Sequence, residues 1–202
     1  MPANSDVLQQ TDAPPELGAD SAPAKPSGLP PGSNRALDLR EYQPEWAEQF
    51  EAAKQAITTQ LGTRSIAVQH IGSTAVPDML AKPIIDILLI TADLQALDDA
   101  AGEMTELGYR AYGEYGIAGR RYFTRADTGA APINLHAFEP GHRHAVNLLL
   151  LRDYLRSNEH ARRRYSNIKR ALVIDNPTNP GAYQAGKQPV IEWLLARATG
   201  RR

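Results

Sequence analysis

Residues 84–90 are the most constraining segment of the sequence, because a single aspartate, Asp86, interrupts an otherwise apolar run. A near-continuous apolar run of this length predicts a central β-strand. A carboxylate inside such a strand is costly unless a cation, a metal ion or hydrogen-bond donors compensate its charge. We therefore expect Asp86 to mark a functional site.

A glycine-serine turn precedes this strand. Gly72 follows a β-rich segment, and Ser73 and Thr74 come directly after it. Glycine lets the backbone approach a ligand closely, and free N–H groups together with the two hydroxyls can bind phosphate oxygens. Lys82, just before the apolar strand, could contact a phosphate or pair with a carboxylate. The pattern predicts a phosphate-binding turn close to the aspartate.

The order of predicted elements indicates the fold class. Apolar residues at helical spacing predict a first helix over 45–61, and the last third of the chain is predicted to be helical. The predicted strands cover residues 65–70, 84–90, 109–115, 121–125 and 133–138, and the later helices cover 93–107, 144–156, 158–173 and 180–198. Strands that cluster centrally, followed by helices, predict an α+β domain with a mixed sheet and a helical C-terminal part.

The charge of the chain is balanced overall but unevenly distributed. Lys and Arg total 22 and Asp and Glu total 23 in 202 residues, whereas residues 142–202 alone carry 12 basic and 4 acidic side chains. The balanced total excludes a uniformly basic nucleic-acid binder. The basic last third predicts either an anionic ligand or attraction to the acidic remainder.

Several classes of protein are excluded by composition. The chain has no cysteine, which excludes disulfides, Cys-ligated zinc, iron–sulfur clusters and a cysteine nucleophile. No basic and apolar leader is recognisable at the start, and no apolar run approaches the roughly 20 residues that span a bilayer. We expect a cytoplasmic protein with no membrane partner.

The first 34 residues differ in composition from the rest. They contain 7 of the 15 prolines and no aromatic residue. Such a segment cannot bury enough apolar surface to offset the entropy of ordering it. We predict a disordered tail over 1–34 and one domain over 35–202.

Several short motifs occur in a recognisable order along the domain. They are HIGSTAVP at 70–77, AKPIIDI at 81–87, RRYFTR at 120–125, NLHAF at 134–138, RDYLR at 152–156, and a late Tyr183 with Lys187. This set resembles the GrpB family, a branch of the nucleotidyltransferase superfamily, and it spans nearly all of the chain after the tail. The resemblance implies a nucleotidyltransferase-like fold that binds a nucleotide or another phosphorylated molecule.

The resemblance also implies a metal site, from which this sequence departs. In the superfamily, two carboxylates one residue apart on a strand and a third on a later strand hold two Mg²⁺ ions. Here Leu88 stands where a partner of Asp86 is expected, and the later strand offers Asn134 and His136. Imidazole suits zinc-like ions better than Mg²⁺. The expected cofactor is a divalent metal held by Asp86 and His136, either Mg²⁺ or Mn²⁺, with Zn²⁺ as the alternative.

These observations leave several functions open. A transferase could use one metal ion together with the substrate's phosphates. A softer metal ion could instead bind to Asp86 and His136, which would then be the metal-binding and catalytic residues. Alternatively, the protein could bind a nucleotide without catalysing a reaction. The expected anion contacts are Gly72, Ser73, Thr74, Lys82, Arg121 and Lys187, with His70 as a further candidate near the turn. The alternative class is a non-catalytic module that binds RNA or an acidic protein through the basic C-terminal helices, which include Arg162, Arg163 and Arg164.

Overall fold

The computed structural model describes residues 37–126 and 129–200. The predicted tail over 1–34 lies outside these residues. Six α-helices are described, namely α1 (Glu45–Leu61), α2 (Leu94–Asp99), α3 (Ala101–Glu106), α4 (Arg143–Ser157), α5 (Glu159–Asp175) and α6 (Pro180–Ala198). Five strands are described, namely β1 (Ser65–Ile71), β2 (Ile85–Thr91), β3 (Arg110–Ala111), β4 (Arg121–Arg125) and β5 (Ile133–Phe138).

The five strands form one mixed sheet in the order β1-β2-β5-β4-β3. The central pair, β2 and β5, is parallel, and the other neighbours are antiparallel. The register places Asp86 beside Asn134 and Leu88 beside His136. The polar side chains of Asp86, Asn134 and His136 are therefore neighbours on one face of the sheet. This arrangement confirms the predicted α+β class with a mixed sheet.

One face of the sheet is covered by α1, α2 and α3. The apolar side of α1, which includes Trp46, Phe50 and Ile57, packs on β2 and β5 residues such as Ile87 and Leu135. These side chains are almost completely buried. This layer holds most of the apolar core, and its stability comes mainly from removing apolar surface from water.

The opposite face carries Asp86 and meets the C-terminal helices. Leu88 and Phe138 pack against Ala145 of α4. A further apolar cluster joins α4, α5 and α6 to the segment after the Gly72-Ser73 turn through Val76 and Met79. The C-terminal helices therefore cover part of the Asp86 face and lie close to the turn.

Two predicted elements differ from the structure. The helix expected over 93–107 is divided at Ala100, which is buried and has a ψ of 12° outside the helical range. The strand expected over 109–115 is limited to Arg110–Ala111, because the positive φ of Gly113, Tyr115 and Gly116 is incompatible with a regular strand. The remaining predicted helices and strands are confirmed, with bounds that agree within two residues.

Candidate functional site

Asp86 lies directly against the glycine-serine turn. Gly72 has a φ of 71°, and a Cβ added there would overlap Oδ2 of Asp86. Only glycine therefore satisfies both the backbone conformation and the close approach of the carboxylate. The Asp86 side chain remains 29% exposed, so the carboxylate stays accessible from the Asp86 face of the sheet.

A short hydrogen-bond chain orients one oxygen of this carboxylate. The Tyr122 hydroxyl donates to Oδ1 of Asn134 at 2.9 Å, and Nδ2 of Asn134 donates to Oδ1 of Asp86 at 2.9 Å. The tyrosine therefore fixes which end of the amide faces the carboxylate. Within residues 37–126 and 129–200, no hydrogen-bond donor contacts Oδ2, the oxygen next to Gly72.

His136 lies between Asp86 and a buried arginine. Its Nε2 is 4.0 Å from Oδ1 of Asp86, and its Nδ1 is 3.4 Å from Nη1 of Arg120. A guanidinium group can only donate, so Nδ1 is the acceptor and the neutral ring carries its proton on Nε2. The ring is therefore held in the tautomer that points its N–H towards Asp86.

The charge of Asp86 is well compensated by these neighbours. Burial alone would raise its pKa, but His136, Asn134 and Lys82 outweigh burial and lower the pKa below its ordinary value. Burial and the charge of Asp86 also raise the pKa of the Tyr122 hydroxyl, so that group remains a donor. Asp86 is consequently an ionised carboxylate at neutral pH.

The donor set does not fit two Mg²⁺ ions. Leu88 is fully buried in the apolar cluster beside Phe138, where a carboxylate was expected from the family pattern. His136 presents a protonated Nε2, and its Nδ1 is engaged by Arg120. Over the two described ranges, no three His, Asp or Glu side chains are grouped so as to hold a metal ion.

Three lysines lie near the Gly72-Ser73 turn, and we call them the lysine cluster: Lys82, Lys169 and Lys187. Nζ of Lys169 donates to Oγ of Ser73 at 3.1 Å and also to the carbonyl of Leu80. The ammonium groups of Lys82 and Lys187 lie 5.5 and 4.8 Å from the ring centroid of Tyr183. Positive charge thus concentrates beside the Gly72-Ser73 turn.

Lys169 is the most unusual member of this cluster. It is 2% exposed, and burial together with the nearby charge of Lys187 lowers its pKa to about 7. Burial also lowers the pKa of Lys82, whereas the charge of Asp86 opposes that shift. An anion bound at the turn would favour the protonated form of Lys82 and Lys169.

Two residues expected at the phosphate turn lie within the protein interior. The Thr74 hydroxyl donates to the carbonyl of Ile84 at 3.0 Å, and His70 Nε2 is 3.0 Å from the hydroxyl oxygen of Thr74. His70 projects from the sheet face opposite Asp86 and stacks on Phe50. Both side chains stabilise the turn from the protein interior.

Arg121 also lies on the opposite face of the sheet. Its guanidinium group forms a double ion pair with Asp98, with distances of 2.6 and 2.7 Å. The register pairs Tyr122 with His136, so strand alternation brings Arg120 and Tyr122 to the Asp86 face instead. Of the two adjacent arginines, Arg120 is the one that contacts the site.

The basic run on α5 is engaged mainly within the molecule. Arg162 donates to the carbonyl of Leu155, Arg163 pairs with Glu159, and Arg164 lies 4.5 Å from the ring centroid of Trp193. Lys169, on the same helix, points into the protein interior. Its position four residues after Tyr165 and eight after Ala161, both buried, is the sequence signal that places it on the inner face.

The fold and site together define an α+β protein in which one carboxylate and several cations surround a glycine-serine turn. Residues 36–197 match the GrpB protein family, and the chain belongs to that family. UPF0157 protein YqkA of Bacillus subtilis is 36% identical over 79% of this chain and 46% of its own length. UPF0157 protein BH1888 of Halalkalibacterium halodurans is 33% identical over 82% of this chain and 84% of its own length.

A solved structure supports the same family. The crystal structure of GrpB from Enterococcus faecalis matches with a TM-score of 0.76 and 33% identity, over 81% of this chain and 98% of that one. The chain thus spans about half of YqkA and nearly all of the E. faecalis protein.

More distant similarities are also found. Dephospho-CoA kinase of Mycolicibacterium paratuberculosis is 28% identical over 77% of this chain and 44% of its own length. A structure of Cid1 matches with a TM-score of 0.48 and 12% identity, over 72% of this chain and 48% of that one. Neither similarity adds evidence about individual residues of the site.

No helix in the described part of the chain has the length and apolar character needed to cross a bilayer.

Proposed function

We propose that this protein binds a phosphorylated small molecule, such as a nucleotide, with its phosphate groups between the Gly72-Ser73 turn and the lysine cluster. The buried ammonium group of Lys169, which donates to the Ser73 hydroxyl, carries the proposal. Among the described residues, no carboxylate contacts this ammonium group. Burying a cation without a counter-charge is costly, and a bound anion would offset that cost.

The charge balance around the turn supports the same ligand chemistry. The ammonium groups of Lys82 and Lys187 both lie near the ring of Tyr183, and the charge of Lys187 lowers the pKa of Lys169. Like charges this close disfavour one another, so an anion between them relieves the repulsion.

Transfer of a nucleotidyl group is the second candidate, and one specific observation favours it. Oδ2 of Asp86 lies beside Gly72 and accepts no hydrogen bond from the described residues. Asp86 could hold one divalent cation there, and the ligand's own phosphates would supply further oxygen ligands. The usual arrangement with two metals is not compatible with the buried Leu88.

Calorimetric titration with nucleoside triphosphates tests both candidates, first in EDTA and then with Mn²⁺. The informative variants are Ser73→Ala and Asp86→Asn, with Ser157→Ala and Asp99→Asn as exposed controls of the same chemistry. In EDTA we expect Ser73→Ala to weaken binding roughly tenfold, because a hydrogen bond to a charged group is lost. We expect Asp86→Asn to strengthen metal-free binding, because a negative charge beside the phosphates is removed.

The outcomes separate the two candidates. If no triphosphate binds the parent protein, or if Ser73→Ala binds as the parent does, the phosphate-binding proposal is wrong. Under the transfer candidate, Mn²⁺ strengthens binding to the parent, and Asp86→Asn loses that gain. If Mn²⁺ changes nothing, the transfer candidate fails and the binding proposal stands.

A further inference from the structure

A cavity of about 300 Å³ adjoins the segment that follows the Gly72-Ser73 turn, and no member of the lysine cluster lines it. Thr74 and His70 are among its buried lining residues, and Arg156 of α4 and Arg162 of α5 also line it. Its volume is at the lower end of the range for small-molecule sites, about 300–1,000 Å³. The cavity and the lysine cluster thus have different charged lining residues.

Arg156 is anchored through its Nε, whereas its two terminal nitrogens can donate hydrogen bonds to a ligand. Its Nε donates to the carbonyl of Ala75 at 2.8 Å, which anchors the guanidinium group at the cavity. No acceptor in the described part of the chain contacts its two terminal nitrogens. Burial and the neighbouring charge of Arg152 lower the pKa of Arg156, yet an arginine remains protonated at neutral pH. A fork of two unused donors therefore faces the cavity region.

Arg162 adds a second positive charge that is only weakly paired. One terminal nitrogen donates to the carbonyl of Leu155 at 3.1 Å. The other is 3.9 Å from Asp78, whose carboxylate is 82% exposed, so water and salt screen this pair strongly. An anion in the cavity would meet two guanidinium groups and little competition from Asp78.

His70 contributes a neutral acceptor to the cavity lining. The Thr74 hydroxyl donates to Ile84, so it accepts from Nε2–H of His70, which leaves Nδ1 unprotonated. Burial lowers the pKa of His70 to about 4, and the ring is therefore neutral at pH 7. Tyr42, whose hydroxyl can donate, lines the same cavity.

We propose that this cavity is a second anion site, which binds the phosphate group of a small phosphate monoester through Arg156 and Arg162. The charge of the two arginines favours a phosphate dianion over a singly charged carboxylate. The proposal is independent of the function proposed for the lysine cluster, because the two sites share no charged side chain.

The experiment follows the ring nitrogen signals of His70 by NMR in protein labelled at histidine. Inorganic phosphate and glycerol phosphate are titrated separately, with acetate at matched ionic strength as the carboxylate comparison. We expect both phosphates to shift the His70 signals saturably, and acetate to bind at least several-fold more weakly. Arg156→Gln and Arg162→Gln should each weaken phosphate binding roughly tenfold, since each loses charge-assisted hydrogen bonds.

Two control variants distinguish this site from other positive surfaces. Arg170→Gln removes an exposed charge of α5 outside the cavity and should leave the affinity unchanged. Ser73→Ala should weaken binding at the lysine cluster and leave the His70 response intact. The proposal is overturned if the His70 shift does not saturate, if acetate binds as tightly as phosphate, or if Arg162→Gln, which keeps the Arg156 anchor, binds like the parent.

Discussion

At the scale of single residues, the site depends on two buried cations, Lys169 and Arg120. Arg120 donates to the carbonyl of Glu114 and sets the tautomer of His136, while Lys169 donates to Ser73. Asp86 was recognisable in the sequence because an aspartate within an apolar strand is rare and costly. Lys169 and Arg120 were harder to recognise, because each stands in a run of basic residues, and only the three-dimensional packing decides which member points inward.

Lys169 leads to a prediction about pH. The pKa of Lys169 is about 7 in the folded protein and 10.5 ordinarily, so the unfolded chain binds more protons between these two pH values. Lys169 therefore makes the free protein more stable as the pH rises from 7 to 10.5. A bound phosphate favours the protonated form, so nucleotide affinity should fall roughly tenfold or more from pH 7 to pH 9. Calorimetry in buffers of different ionisation enthalpy should detect proton uptake on binding.

The matched variant for this prediction is Lys169→Met, which keeps the length of the side chain and removes its charge. It should abolish the proton uptake and flatten the pH dependence, whereas the adjacent, exposed Arg170→Gln should preserve both. An unchanged pH profile in Lys169→Met would show that Lys169 does not respond to the ligand.

At the scale of elements, β2 decides what chemistry the site can support. It carries Asp86 and Leu88 on the same face, but the first lies at the turn and the second is buried beside Phe138. The sequence predicted β4, β5 and α6 with their observed bounds, because a period of two or 3.6 residues is a strong local signal. The strand predicted over 109–115 was too long, although Gly113 and Gly116, which have positive φ in the structure, are visible in the sequence.

Introducing a carboxylate at position 88 tests this account of β2. Leu88→Asp places an unpaired charge in an apolar cluster, so the free energy of unfolding should fall by roughly 3 kcal/mol or more. Leu88→Met, which conserves volume, should cost less than about 1.5 kcal/mol. Urea unfolding measures both. Equal stability of the two variants would mean that position 88 accepts a carboxylate, contrary to the apolar environment described for it.

At the scale of the whole molecule, the fold places two positively charged regions near one turn. The sheet order brings β1 next to β2, so the Gly72-Ser73 turn contacts Asp86. The C-terminal helices supply Lys169 and Lys187 to the lysine cluster, and Arg156 and Arg162 to the cavity. The basic last third of the sequence predicted an anionic ligand, but which of its side chains converge could not be read from charge alone. That convergence depends on how α4, α5 and α6 pack on one another and on the turn.

A crystal structure with a bound nucleoside triphosphate is the most direct test of the central claim. We predict phosphate oxygens within hydrogen-bonding distance of the Ser73 hydroxyl and of at least one ammonium group of the lysine cluster, with Asp86 adjacent. A triphosphate bound elsewhere on the molecule, with Lys169 still donating only to Ser73 and Leu80, would contradict the account.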